Sequence, residues 1–452
     1  MSKMRLTQSK ATSSHVTAIS SKSYVHRLII AASLYGEGTC IITNIMSADM
    51  EATVRAVNAL GADVKVIRSS DDRYEIRVVR PLGSKITNSC VVDCGESGST
   101  ARFILPLAAF FADEATVTGS GRLPERPMGP LCDVLRSAGV TVSADSLPIT
   151  VSGDPSAGEY EIAGNVSSQF ISGLLFLLPL LDDRSTLTIT GKFESAAYVD
   201  MTVDVLTKFG VSIERSLNVF AIKPLLKGSY PASGCIVSEG DWSNAAYIMT
   251  IASLGSGRTF DSLTIDGLAC DSIQGDRAVV DIMRDFGIDV SQKQGDDPSS
   301  SGYTIKGRPT KPVDVDCSQI PDLVPALAVL AAYAEGDSIF RNVERLRMKE
   351  CDRIDAVSHM LSTVHVKVDI TSDHETGSET MIVHGKGGSS PVVNVPVIDS
   401  FNDHRIAMAA AAIALAEDVP VIINDPMAVN KSYPGFYDVV ATLGIANDQG
   451  EY

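Results

Sequence analysis

Two kinds of apolar pattern run along this 452-residue chain, and both recur. In the first, a β-branched run is followed by a Thr/Asn/Asp/Gly turn, a polar stretch, an amphipathic helix with a 3.6-residue stripe, and then Gly and another strand. One copy reads ITNIMSADMEATVRAVNALGADVKV from Ile42, and further copies begin at Val117, Ile189, Ile265, Phe340 and Ile423. The turn after the strand falls at Asn44, Gly119, Gly191, Gly267, Asn342 and Asp425, spaced 75, 72, 76, 75 and 83 residues apart. The helix ends at Gly61, Gly139, Gly210, Gly287, Thr363 and Gly444. Glycine supplies the left-handed conformation that closes a helix, so Thr363 is the one departure. Six coincident signals at a near-constant period predict a repeated βα unit.

The second pattern is a set of segments apolar all round, at 27–34, 101–111, 170–180, 245–254, 323–334 and 406–416. A helix without a polar face is buried on every side, so each repeat supplies one buried and one half-exposed helix. The expected fold is α/β. Six units overfill a single core, which makes three per domain the economical arrangement. A solenoid is the alternative, but a period near 75 exceeds common solenoid repeats. No low-complexity linker parts two halves, and the Ser/Gly-rich stretch 295–302 has the composition of a loop tip.

Charge narrows the class of ligand. With 38 Lys+Arg against 55 Asp+Glu the net charge is −17, which argues against nucleic acid or an anionic membrane surface as the main partner. The longest apolar stretches fall short of the ~18 residues that span a bilayer, and residues 1–10 are polar with no secretory signal. A cytoplasmic protein is expected. The eight cysteines are scattered without a Cys-x-x-Cys pair, and the seven histidines show no ligand spacing, so no metal site is expected.

Polar residues gather just ahead of the buried helices: Lys22-Ser23-Tyr24-Val25-His26-Arg27, Gly98-Ser99-Thr100-Ala101-Arg102, Ser167-Ser168-Gln169, Asp241-Trp242-Ser243-Asn244, Pro321-Asp322 and Asn402-Asp403-His404-Arg405. Capping accounts for the hydroxyls and carboxylates. It does not account for Lys22, Arg27, Arg102 or Arg405, because a cation at a helix start opposes the dipole. The stretches ahead of the second helix set add Arg126, Lys349, Glu350, Arg353 and Lys431. Basic residues recurring at equivalent places in an acidic chain predict a pocket for a small, multiply anionic ligand. No Walker-type phosphate loop is present, so arginines, lysines and helix ends would hold the phosphates.

The strings KSYVHR at Lys22, CGESGSTARF at Cys94, RPMGPL at Arg126, SSQF at Ser167, GDWSNAAY at Gly240, RMKECDR at Arg347, FNDHRIAM at Phe401 and NKSYP at Asn430 stand in one order along the chain. Together they resemble the 5-enolpyruvylshikimate-3-phosphate synthases, a branch of the enolpyruvyl transferase family. The resemblance implies a two-domain inverse α/β barrel of six βαβαββ-type repeats, three per domain. It divides the chain into 1–20 with 236–452 and, between them, 21–235, with the active site in the cleft between the two. It implies a reaction that joins phosphoenolpyruvate to the 5-hydroxyl of shikimate 3-phosphate and releases phosphate, with no cofactor, in a monomer. Asp322, Glu350 and Lys22 match the family's acid/base positions. Lys22, Ser23, Arg27, Ser167, Ser168, Gln169, Ser195, Asp322 and Lys349 match those around shikimate 3-phosphate, with Tyr198 close by. Lys22, Gly98, Arg126, Gln169, Arg353, Arg405 and Lys431 match those around phosphoenolpyruvate, and Arg102 stands behind them.

Taken alone, Asp322 could be a helix cap and Glu350 a surface partner of Arg353. Trp242, the single tryptophan, is expected to pack at the crossover between domains. Three residues depart from the family pattern: Glu96 where Asn is common, Ser99 where Thr is usual, and Arg345 where many members have Asn. They bear on the response to glyphosate, the family's phosphoenolpyruvate-site inhibitor. The branch acting on UDP-N-acetylglucosamine remains the rival, with Cys132 the candidate for its loop cysteine, here inside an amphipathic helix. A non-catalytic anion-binding protein is the alternative of another class.

Overall fold

The computed structural model describes residues 2–69, 73–225, 234–293, 295, 301–387 and 392–450; within the stretch 295–302, residues 296–300 lie outside the described residues. The fold is mixed α/β. Twelve α-helices are described: α1 (Lys22–Tyr35), α2 (Ala48–Ala59), α3 (Gly98–Phe111), α4 (Gly129–Ser137), α5 (Ser168–Leu177), α6 (Ala196–Lys208), α7 (Trp242–Gly255), α8 (Val279–Asp285), α9 (Val324–Tyr333), α10 (Arg353–Ser362), α11 (His404–Ala416) and α12 (Phe436–Thr442). The odd-numbered helices correspond to the wholly apolar segments. Every residue of α7, α9 and α11 is buried, whereas α2, α4 and α6 each keep a polar face outside.

Several buried helices begin a turn earlier than apolarity alone predicts, because their first turn is the polar cluster. Ser21, Ser97, Ser167, Asp241 and Asp403 cap α1, α3, α5, α7 and α11, each accepting from a first-turn backbone N–H. The half-exposed helices close as read from the sequence at Gly61, Gly139, Gly210, Gly287 and Gly444, all at positive φ. Thr363 is not the equivalent residue. It keeps right-handed geometry at φ −66°, and the left-handed place is two residues on, at His365 with φ 62°. The Val366 N–H then closes on the Leu361 carbonyl at 3.1 Å, as Val140 closes on Leu135 at 3.0 Å. The turn after the strand is left-handed at Gly191, Gly267, Asn342 and Asp425 but not at Asn44 or Gly119.

Among the described residues there are six four-stranded sheets, and all share one order. Glu159–Ala163 runs parallel to Ser185–Thr190, which pairs antiparallel with Val219–Ile222, which pairs antiparallel with Ile213–Ser216. The same sequence of one parallel and two antiparallel pairings holds for the rest. The chain divides into two compact units, residues 20–238 and residues 1–19 with 239–452. In the first, α3 packs on α5 and α1 on α2 and α6. In the second, α7, α9 and α11 pack pairwise. Trp242 is fully buried there, edge-to-face with Tyr303 at 5.2 Å between ring centroids. Burying a ring of that size supplies a few kcal/mol to this core. No helix among the described residues is long and apolar enough to cross a membrane.

Candidate active site

In the unit of residues 1–19 and 239–452, the expected acids and cations meet. Asp322 lies in the 3₁₀ turn Pro321–Leu323 that leads into α9, and Leu323, not Asp322, holds the capping position. The Asp322 carboxylate is taken by cations instead. Oδ1 accepts from Lys349 Nζ at 3.2 Å and from Arg353 Nη1 at 2.8 Å, and Oδ2 lies 3.1 Å from Arg405 Nη2. Its carbonyl accepts from Arg405 Nη1 at 3.1 Å and from the Tyr247 hydroxyl at 3.2 Å. Burial by itself would push this carboxyl up. Arg405, Lys349 and Arg353 outweigh burial and hold it well below the ordinary carboxylate range.

Arg353 is the hub. Its side chain is 1% exposed and reaches three acids: Asp322, Glu350 through Nη2 at 2.7 Å, and Asp403 through Nε at 2.7 Å. The Glu350 pairing expected from sequence is present, but with a buried arginine rather than on a helix surface. A guanidinium suits the place because its planar fork serves several acceptors at once. Asp403 also accepts from the Arg405 backbone N–H at 2.8 Å, so one carboxylate fixes Arg353 and the start of the helix that carries Arg405. Just ahead of it, Phe401 and Asn402 are both left-handed, at φ 52° and 55°, which is strained for residues with a side chain. That bend presents the Asn402 carbonyl to Lys431 Nζ at 2.7 Å. Burial draws the Lys349 ammonium down to about 8 against the opposing pull of Asp322, with Arg353 and Arg345 adding to the lowering.

The unit of residues 20–238 carries the other expected residues. Lys22 opens α1 and pairs with Asp49 of α2 at 3.0 Å. Arg27 is 2% exposed and engaged inward. It donates to Thr202 Oγ1 at 2.7 Å, the Ser23 carbonyl at 2.7 Å and the Tyr198 carbonyl at 2.8 Å, over the Phe103 ring. Gln169, next to the Ser167 cap and the buried Ser168, accepts from Arg102 Nη1 at 2.8 Å and donates to Ser99 Oγ at 2.8 Å. Arg102 therefore touches Gln169, one of the residues matched to the substrate positions. Gly98 begins α3, and a β-carbon there would stand 2.6 Å from Arg102 Nη1 and 2.7 Å from Arg126 Nη1. Only a bare backbone lets both guanidiniums reach that helix start. Ser195 precedes α6 in left-handed conformation, φ 52°, and is buried. Glu96 turns its carboxylate against Gly121. Buried His26 touches Thr53 Oγ1 at 2.6 Å, Thr53 touches Thr100 at 2.7 Å, and Thr100 donates to the Ser97 cap at 2.8 Å, a polar string joining α1, α2 and α3.

The family model for EPSP synthase (3-phosphoshikimate 1-carboxyvinyltransferase) matches residues 6–440. The chain belongs to that family. It is 39% identical over 434 residues to the 3-phosphoshikimate 1-carboxyvinyltransferase of Clostridium kluyveri, covering 94% of this chain and 93% of the relative. It is 40% identical over 436 residues to that of Clostridium novyi, with the same coverage, 94% and 93%. Among solved structures, the EPSP synthase from Acinetobacter baumannii superposes with a TM-score of 0.77 at 22% identity, over 100% of both chains. The enolpyruvyl transferase NikO from Streptomyces tendae does so at 0.75 with 16% identity, over 99% of both, and these two likenesses speak to the fold alone.

For an EPSP synthase, three acids of this chain escaped the sequence reading. Asp49 looks like an ordinary dipole-favoured acid in the first turn of α2. Asp403 looks like a cap, and is one, which hides its second task of holding Arg353. Asp276 carried no signal at all. It is buried, accepts from the Ser243 hydroxyl, and its carboxyl is pushed up to about 6, by burial first and Asp322 next, with Arg405 pulling back. Cys132, the candidate for the UDP-sugar branch, is fully buried in α4, where burial pushes its thiol up to about 12. A thiol so held is a poor nucleophile. No group of three or more His, Cys, Asp or Glu among the described residues is placed to hold a metal ion.

Proposed function

We propose that this chain transfers the enolpyruvyl group of phosphoenolpyruvate to the 5-hydroxyl of shikimate 3-phosphate, with release of inorganic phosphate. The observation that carries the reading is a carboxylate, Asp322, held by Lys349, Arg353 and Arg405 beside Glu350, in a member of the EPSP synthase family. Protonation of the phosphoenolpyruvate methylene opens the adjacent carbon to the hydroxyl. The tetrahedral intermediate then loses phosphate as a methyl proton departs. Asp322 takes the hydroxyl proton, and Glu350 and Lys22 are the groups for the carbon-bound proton.

The cations have two tasks. They neutralise the substrates' phosphates and carboxylates, and they govern the basicity of Asp322. Without ligand, three positive charges make Asp322 a weak base. Substrate anions that draw Lys349, Arg353 and Arg405 toward themselves raise its proton affinity as the acceptor hydroxyl arrives. Ser23, Arg27, Ser167, Ser168, Gln169 and Ser195 serve shikimate 3-phosphate. Gly98, Arg126, Arg353, Arg405 and Lys431 serve phosphoenolpyruvate. The shared strand order of the six sheets supports six βαβαββ repeats, three per unit, in inverse α/β barrels. The two sets of residues would then serve one substrate pair in a cleft between two domains of a cytoplasmic monomer.

Phosphate release from phosphoenolpyruvate, measured with shikimate 3-phosphate and in parallel with UDP-N-acetylglucosamine, tests the assignment. Turnover is expected with the first acceptor only. Turnover confined to the nucleotide sugar, or with neither, would overturn it.

A further inference from the structure

Cys40 and Cys235 stand 195 residues apart in the sequence and side by side in the fold. The strand Cys235–Val237 pairs in parallel with Cys40–Thr43, and the two cysteines face each other in register. Residues in register on neighbouring strands share a face, about 4.8 Å apart along the hydrogen-bonding direction. That lies inside the roughly 4.4–6.8 Å of Cα separation that a disulfide spans. Both residues are thiols, Cys40 buried on an inner strand and Cys235 exposed on the edge strand of the sheet. Burial, then contact with Cys235 and Glu75, pushes the Cys40 thiol up to about 12, so the buried member stays protonated at neutral pH. Cys90, the other cysteine on a described strand pairing, faces Ala115 instead.

We propose that Cys40 and Cys235 are a peroxide-sensitive dithiol that closes to a reversible intramolecular disulfide. The Cys235 sulfur attacks the O–O bond of hydrogen peroxide, becoming a sulfenic acid and releasing one water. The Cys40 thiol, which hydrogen-bonds to Glu75, gives that carboxylate its proton as its sulfur displaces the hydroxyl; the S–S bond forms, and the departing hydroxide recovers the proton and leaves as a second water. Two thiols are oxidised, one peroxide is reduced, and a dithiol reductant reverses the link by exchange. The closed loop takes in most of the 20–238 unit. The crosslink therefore restricts the unfolded chain over that whole length, which stabilises the oxidised form.

The test is peptide mapping by mass spectrometry under non-reducing conditions, on the whole protein treated with hydrogen peroxide and then with dithiothreitol. The expected result is a peptide linking Cys40 to Cys235, lighter by two hydrogens, that disappears on reduction, together with a thermal transition raised by several degrees while the link is present. Cys235→Ser, at an exposed site that leaves the core intact, should remove both the link and the shift. In Cys40→Ala, Cys235 should run on to the sulfinic acid. Sulfinic acid at Cys235 with no link in the unsubstituted protein would overturn the proposal, as would linkage of Cys235 to another cysteine or to a second molecule.

Discussion

Arg353 and Arg126 are both expected at the phosphoenolpyruvate site, yet the structure gives them different weights. Arg353 is 1% exposed and answers Asp322, Glu350 and Asp403 together. Breaking a buried pair leaves uncompensated charge and costs about 3–5 kcal/mol. Arg353→Lys should therefore lower thermal stability as well as activity, read by calorimetry. Half-buried Arg126 should behave otherwise: Arg126→Ala loses turnover by orders of magnitude with the melting temperature little moved. Gly98→Ala places a methyl within 2.7 Å of the Arg126 guanidinium. It should raise the KM for phosphoenolpyruvate tenfold or more while kcat holds better, a split that steady-state kinetics resolves. Lys349 sets a pH limit. Its ammonium, lowered to about 8, is the form that meets a phosphate, so kcat/KM for shikimate 3-phosphate should fall as pH rises through about 8. Lys349→Arg should move that limb upward. The same depression has the opposite sign for folding. A lowered lysine contributes stability that is present above its ordinary value of 10.5 and is lost as pH falls through about 8.

At the level of elements, the helix ends were legible because glycine leaves a mark wherever a helix must end left-handed. The exception shows the limit of that signal. His365 fills the same place with a side chain, and nothing in its letter announces the conformation. His365→Gly should stabilise the protein by about 1 kcal/mol, measured by chemical denaturation, since a side chain in left-handed geometry is strained by that order. Caps were partly legible: Ser167, Asp241 and Asp403 lie in the polar clusters that the sequence shows ahead of the buried helices, whereas Ser21 and Ser97 cap from one residue before theirs. The partners made by packing, Lys22 for Asp49 and the Ser243 hydroxyl for Asp276, were not legible. Asp49 and Asp276 become partners only through the packing of one helix or turn against another, and periodicity within a segment carries no information about that.

At the scale of the whole molecule, the charges divide between the two units: Lys22 and Arg126 in one, Lys349, Arg353, Arg405 and Lys431 in the other. If both sets serve one substrate pair, binding both ligands should shrink the radius of gyration seen by small-angle scattering, as the halves close and exclude water. Identical dimensions with and without ligands would contradict that. The division also sets an order of manufacture. The strand Lys3–Gln8 lies between Val421–Asn424 and Ile445–Gln449, so among the described residues an early strand pairs with two that are made more than 400 residues later. At roughly 5–20 residues per second, it waits on the order of half a minute or more, while everything from Ser20 to Ser238 is already free to fold. Nascent chains arrested midway should accordingly hold one protease-resistant half and an unguarded N-terminal tail.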